Sequence, residues 1–130
     1  EWKGHTGCSR AGDDVDLLAL DEALDELKDA GGWQQRRDRY WKLMDRVREG
    51  LAALNIPACL EREACSCVLN SFDLPNGMPY QELHDQLRGA GFVIYAGHFA
   101  KTRFRVSCMG DISDKDMQRF VEAMQKIVKN

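Results

Sequence analysis

Long hydrophobic runs are absent from this sequence. Apolar stretches such as residues 92–95 are far shorter than the roughly 20 residues that a membrane-spanning helix needs. No basic segment followed by an apolar one, typical of a secretory signal peptide, opens the chain. The sequence therefore predicts a soluble protein with no membrane partner.

Neither sign of charge dominates the chain. Its 130 residues include 18 basic and 21 acidic ones, for a net charge of −3. This balance gives no electrostatic reason to expect nucleic acid as a partner. The 44% of hydrophobic residues are enough for the core of one small domain.

A cysteine pattern typical of disulfide frameworks or zinc sites is also missing. The five cysteines are an odd number, which favours reduced thiols in an intracellular, cytoplasmic setting. Cys65 and Cys67 are the only close pair, and no second pair stands at a zinc-like spacing, so we expect no metal ligands. Cys67 and Cys108 are expected to pack as small apolar side chains.

Apolar residues at three-to-four spacing predict four helices. The first is capped at Asp13–Asp14 and ended by the glycines at 31 and 32. The second has about 22 residues and is stopped by Pro57, the third begins at Pro79, and the fourth follows a cap at residues 111–113. Short strands are predicted at about 68–72, 92–95 and 103–108. The fold class is therefore α+β, with a small antiparallel or mixed three-stranded sheet covered by helices.

Arginines are frequent on the second helix and one lies within the last strand. The arginines of the helix are Arg36, Arg37, Arg39, Arg46 and Arg48. They alternate with acidic residues, so we expect them to form a solvated face. The alternative is an anion-binding surface. In the strand, alternation places Phe104, Val106 and Cys108 on one face and Arg105 on the other. A guanidinium there can hold a carboxylate bidentately, or it can pair with a surface carboxylate of the protein itself.

Several segments occur in the order found in a known enzyme family. They are Leu-Asp-Glu-Ala-Leu-Asp-Glu-Leu (residues 20–27), Gly-Gly-Trp (31–33), Gly-Phe-Val-Ile-Tyr-Ala-Gly-His (91–98) and Arg-Phe-Arg-Val-Ser-Cys-Met-Gly-Asp-Ile (103–112). The chain resembles class V aminotransferases, which belong to the fold-type I pyridoxal-phosphate enzymes. The segment at 91–97 is most similar to that of 2-aminoethylphosphonate–pyruvate transaminases. The resemblance implies that residues 17–130 form the C-terminal small domain, while residues 1–16 are unmatched.

The resemblance also implies how the work is divided within the enzyme. Arg105 matches the strand arginine that binds the acidic group of the substrate, and Thr6 is the nearest candidate for a threonine that contacts the cofactor phosphate. The Schiff-base lysine, the aspartate at the pyridinium nitrogen and the phosphate cradle lie in the large domain of the family. We therefore assign no catalytic, cofactor-binding or metal-binding residue to this chain, and we expect no pyridoxal phosphate and no activity in it alone.

The partners implied are the large domain of the same enzyme, a second subunit in a homodimer, and a small amino donor and keto acid. The reaction would move an amino group from 2-aminoethylphosphonate to pyruvate. Two alternatives stay open. One is the small domain of an alanine–glyoxylate or serine–pyruvate transaminase, and the other is a stand-alone, non-catalytic α+β interaction module.

Overall fold

A computed structural model of the protein describes residues 10–97 and 102–129. Thr6, His98 and Lys101 lie outside these residues. The described elements, in chain order, are α1 (Arg10–Asp29), α2 (Gly32–Ala52), β1 (Leu69–Asp73), α3 (Tyr80–Gly89), β2 (Tyr95–Ala96), β3 (Arg103–Ser107) and α4 (Asp114–Lys129), with short 3₁₀ turns at Arg62–Ala64 and Pro75–Gly77. None of these helices is long and apolar enough to cross a membrane.

The chain divides into two units, residues 1–36 and 37–130. The first unit contains α1, which begins at Arg10, so the predicted cap at Asp13–Asp14 is wrong. Acidic side chains are favoured throughout the first turns of a helix, and they mark its start only to within a turn. The predicted glycine stop is confirmed, since Gly31 and Gly32 have φ of 86° and 81°, a region that glycine enters without steric cost.

The second unit contains a three-stranded antiparallel sheet in the order β1-β3-β2. The predicted α+β class is confirmed, and the antiparallel alternative is the correct one. The predicted strand at 92–95 is reduced to Tyr95–Ala96. Its first residues instead end α3, because Gly91 N–H bonds to Arg88 O at 3.0 Å and Phe92 N–H to Leu87 O at 2.9 Å. This pair of bonds is a Schellman motif, which leaves residues 91 and 92 outside the sheet.

The core lies between one face of this sheet and the apolar sides of α2, α3 and α4. Phe72 of β1 and Phe104 of β3 stack at 5.6 Å between ring centroids. The fully or nearly buried residues of the helices are Leu43, Met44, Val47, Leu51, Leu83, Leu87, Met117, Phe120 and Met124. Within the described residues of the second unit, α2, α3 and α4 pack on the face that carries Phe72 and Phe104, and we call the opposite face of the sheet the open face.

Arg48 departs from the solvated face predicted for the arginines of α2. Its guanidinium donates to Asn70 Oδ1 at 2.6 Å and to Leu60 O at 3.0 Å. Asn70 is 2% exposed and donates in turn to Ser66 O at 2.7 Å. Arg48 thus ties the segment before β1 to the strand, because a buried amide needs partners for both its donor and its acceptor.

Candidate functional site

The open face of the sheet carries side chains from all three strands. In β3 the inward positions are Phe104 and Val106, so Arg105 must point to the open face. The register places Arg105 directly opposite Ser71 of β1 and Tyr95 of β2. Directly opposite residues of antiparallel strands share one face of the sheet. Ser71, Arg105 and Tyr95 therefore form a row across the open face, which we call the Arg105 row.

The orientation of Arg105 is set by the backbone of β2. Its Nε–H donates to Ala96 O at 2.8 Å. Gly97 brings β2 close, because its N–H bonds to Arg103 O at 3.0 Å and a Cβ at this position would lie 2.8 Å from that of Arg103. Ile94 O also accepts a hydrogen bond from the Tyr80 hydroxyl at 3.0 Å, which anchors the segment that leads into β2. One N–H of the guanidinium is thus fixed to the fold.

The remaining donors of Arg105 are not used by the described part of the protein. No described carboxylate forms an ion pair with it, and its Nη atoms donate to no residue within 10–97 or 102–129. Arg103, two residues earlier on the same face, differs in this respect. Its Nε lies 3.0 Å from Asp73 Oδ1, and the hydrogen bond with Asp73 raises the pKa of the Arg103 guanidinium. The surface-pair interpretation therefore describes Arg103, whereas Arg105 forms no ion pair with a carboxylate of the described residues.

The neighbours of Arg105 were not predicted from the sequence. The sequence predicts no role for Ser71, and it places Tyr95 only within the aminotransferase-like segment at 91–98 and the predicted strand at 92–95. Strand alternation could have placed both on a polar face, but only the register shows that they flank the arginine. Tyr80 likewise gave no sequence signal, because its hydroxyl contact depends on how α3 packs beside the approach to β2.

Two grooves of the second unit lie away from Arg105. One of about 390 Å³ runs between residues 91–94 and the start of α4, and another of about 410 Å³ lies between α3 and α4. Their linings include Phe92, Phe120 and Arg119 but no member of the Arg105 row. Neither of these two grooves therefore contains the row.

A cofactor or metal finds no built site in the described chain. Lys28 pairs with Asp25 at 2.7 Å, and the other described lysines, Lys42, Lys115, Lys126 and Lys129, are exposed. A lysine that forms a Schiff base is normally held in a desolvated pocket, so these side chains do not fit pyridoxal phosphate. No three His, Cys, Asp or Glu side chains come together as metal ligands in the same part of the chain.

Relatives of the chain carry a consistent name. It is 34% identical over 115 residues to a 2-aminoethylphosphonate–pyruvate transaminase of Phocaeicola vulgatus, which covers 87% of the chain. It is 30% identical over 110 residues to one of Bacillus cereus and 29% identical over 116 residues to one of Pseudomonas putida. The chain is a homologue of 2-aminoethylphosphonate–pyruvate transaminases. It spans about a third of the length of these relatives, 32% of the first.

Solved structures show the same fold. An alanine–glyoxylate aminotransferase from Nostoc sp. matches with a TM-score of 0.75 at 20% identity, over 85% of this chain and 30% of that one. A ureidoglycine–glyoxylate aminotransferase from Bacillus subtilis matches with a TM-score of 0.75 at 18% identity, over 87% and 30% of the two chains. No family model matches the chain. The predicted resemblance to aminotransferases is confirmed in sequence and in fold.

Proposed function

We propose that the chain is the C-terminal small domain of a pyridoxal-phosphate-dependent 2-aminoethylphosphonate–pyruvate transaminase and that Arg105 binds the acidic group of the substrate. The observation that carries the proposal is that the two Nη groups of Arg105, on the open face, have no partner within residues 10–97 and 102–129. The curated relatives, which cover 87% of the chain at up to 34% identity, support the choice of reaction.

Arg105 has the geometry that such a role needs. Since Nε–H is bonded to Ala96 O at 2.8 Å, the guanidinium cannot rotate freely, and its two Nη groups remain for two oxygens of one anion. A bidentate, charge-assisted contact of this kind both binds and orients the acid group. The substrate would thereby be held at its acidic end, leaving its amino end directed at the reacting part of the enzyme.

The rest of the enzyme would supply the cofactor and cover exposed surface. Pyridoxal phosphate provides the electron sink for transamination, and the described residues of this chain offer it no lysine or cradle. The first unit exposes apolar side chains of α1, with exposures of 64%, 63%, 70% and 56% for Val15, Leu17, Leu18 and Leu20. Apolar surface of this kind marks interaction sites, and the large domain of the same enzyme, within a homodimer, is the partner we propose.

The decisive experiment changes Arg105 in the chain joined to the large domain of its own enzyme. Arg105→Lys keeps the charge but loses the fork, and Arg105→Ala loses both, so kcat/KM should fall in that order. For alanine we expect a loss on the order of 2 to 4 kcal/mol, roughly 30- to 1000-fold, as when one partner of a charged hydrogen-bonded pair is removed.

Arg103→Ala is the matched control, because Arg103 lies on the same strand and face but pairs with Asp73. It should leave kcat/KM close to that of the parent enzyme. Thermal unfolding of all three variants would separate a binding defect from a folding defect. Normal turnover by Arg105→Ala, or an equal loss in Arg103→Ala, would contradict the role of Arg105. Turnover with an α-carboxylate amino donor in place of the phosphonate would favour the alanine–glyoxylate type of transaminase.

A further inference from the structure

The Arg105 row places one hydroxyl on each side of the guanidinium. Ser71 and Tyr95 are both direct cross-strand partners of Arg105. Such partners have Cβ atoms only about 4.5 to 5.5 Å apart. A hydroxyl from β1 and a phenol from β2 are therefore the direct cross-strand neighbours of Arg105 on this face.

These three side chains share a second property. Within residues 10–97 and 102–129, neither the Ser71 hydroxyl nor the Tyr95 hydroxyl makes a hydrogen bond, and the Arg105 Nη groups are equally unused. Other polar groups on this face are occupied. Arg103 is paired with Asp73, and Ser107 Oγ accepts a hydrogen bond from the Met109 N–H at 3.3 Å. The row thus brings together two hydroxyls that have no described partner and a guanidinium that pairs with no described carboxylate.

The number of donors distinguishes between classes of acid. A carboxylate has two oxygens in a plane, and the two Nη groups of an arginine satisfy both. A phosphonate or phosphate monoester has three terminal oxygens in a tetrahedral arrangement and carries up to two negative charges. Its third oxygen lies off the plane of the fork, where a flanking hydroxyl can donate to it.

We propose that Ser71 and Tyr95 are specificity-determining residues, which complete the site of Arg105 and select a tetrahedral phosphonate over a planar carboxylate. The inference rests on the proposed function and adds to it the residues that recognise the acid. Neither hydroxyl takes part in a structural bond within the described chain, so replacing it removes a donor and leaves the sheet intact.

Binding to the full 130-residue chain tests this inference with two simple probes, methylphosphonate and acetate. Each is titrated into ¹⁵N-labelled protein at a pH where the phosphonate carries two charges, and amide shifts in β1, β2 and β3 report the dissociation constant. We expect methylphosphonate to bind more tightly than acetate. Ser71→Ala and Tyr95→Phe should each raise the dissociation constant of methylphosphonate on the order of 3- to 10-fold, the effect of losing one exposed hydrogen bond to a charged group. Both should leave the dissociation constant of acetate unchanged.

Ser107→Ala is the control, because this hydroxyl lies on the same face but one row away from Arg105, where it accepts a hydrogen bond from the Met109 N–H. It should change neither constant. If Ser71→Ala and Tyr95→Phe leave the ratio of the two constants unaltered while Arg105→Ala abolishes both, the inference is overturned and the role of Arg105 stands. The inference would also be overturned if methylphosphonate caused no saturable amide shifts at the residues of the row. The role of Arg105 would then still be tested by the kcat/KM of its variants in the enzyme joined to its large domain.

Discussion

Replacing Gly50 with alanine should destabilise the second unit, although the same change stabilises most helices. Gly50 lies in α2, and a Cβ built on it would come 2.5 Å and 2.6 Å from the two methyl carbons of Val121 in α4. Real Cβ atoms do not approach so closely, so α2 and α4 must separate or Val121 must leave its rotamer. Overpacking of this kind costs about 1 to 3 kcal/mol.

The alanine also favours the helical conformation, and this gain in stability offsets part of the cost of overpacking. Glycine in a helix is less favourable than alanine by about 0.5 to 1 kcal/mol, because it loses more freedom on folding. The sum for Gly50→Ala is therefore a net loss of up to about 2.5 kcal/mol, with a central value of about 1 kcal/mol. Gly89, the last residue of α3, has no atom within 4 Å of the position its Cβ would take. Gly89→Ala should thus show the gain alone.

Urea unfolding followed by far-ultraviolet circular dichroism measures both variants, with the midpoint and slope recorded separately. The two should shift the midpoint in opposite directions. In a Val121→Ala background the methyl groups that block the new Cβ are gone, and most of the cost of Gly50→Ala should disappear. If Gly50→Ala is as stabilising as Gly89→Ala, the close approach of α2 and α4 is wrong.

Three further predictions concern polar and thiol groups. Asn70→Ala should cost about 1 to 3 kcal/mol of unfolding free energy, measured in urea, because the half-buried Arg48 loses one of its acceptors and Ser66 O loses its donor; an unchanged midpoint would contradict the network. Hydrogen bonds from Ser113 lower the pKa of Asp116. Their contribution to stability is therefore complete above the ordinary pKa of a carboxyl group, and it is lost as the pH falls through the lowered pKa of Asp116 in the folded protein. Ser113→Ala should reduce stability at neutral pH and weaken the decrease of stability toward acid pH, as unfolding midpoints across a pH series would show. Burial raises the pKa of the Cys108 thiol to about 11, so iodoacetamide at neutral pH should label Cys108 only in urea, and rapid labelling in the native protein, seen by mass spectrometry, would refute its burial.

Much of the fold could be predicted because the signals are local. The end of α1 at its glycines, the length of α2 and the start of α3 after Pro79 depend on backbone preferences of a few residues. Alternation in β3 placed Phe104 and Val106 inside and Arg105 outside for the same reason. The start of α1 and the length of β2 were wrong, since acidic residues mark a helix start loosely and an apolar run at 92–95 fits either a strand or a helix cap.

By itself, the sequence determined the α+β class, the placement of Arg105 on the face of β3 opposite Phe104 and Val106, and the similarity to aminotransferases. All three depend on periodicity or on motifs that are read along one stretch of chain. Only the tertiary structure decided that Arg48 is a partner of Asn70 and that Ser71 and Tyr95 stand beside Arg105. It also decided that Arg103 pairs with Asp73, while no carboxylate of the described residues pairs with Arg105. Each of these facts depends on the register between strands or on the packing of a helix against the sheet. A register joins residues far apart in sequence, and a shift of one residue would turn each side chain to the other face.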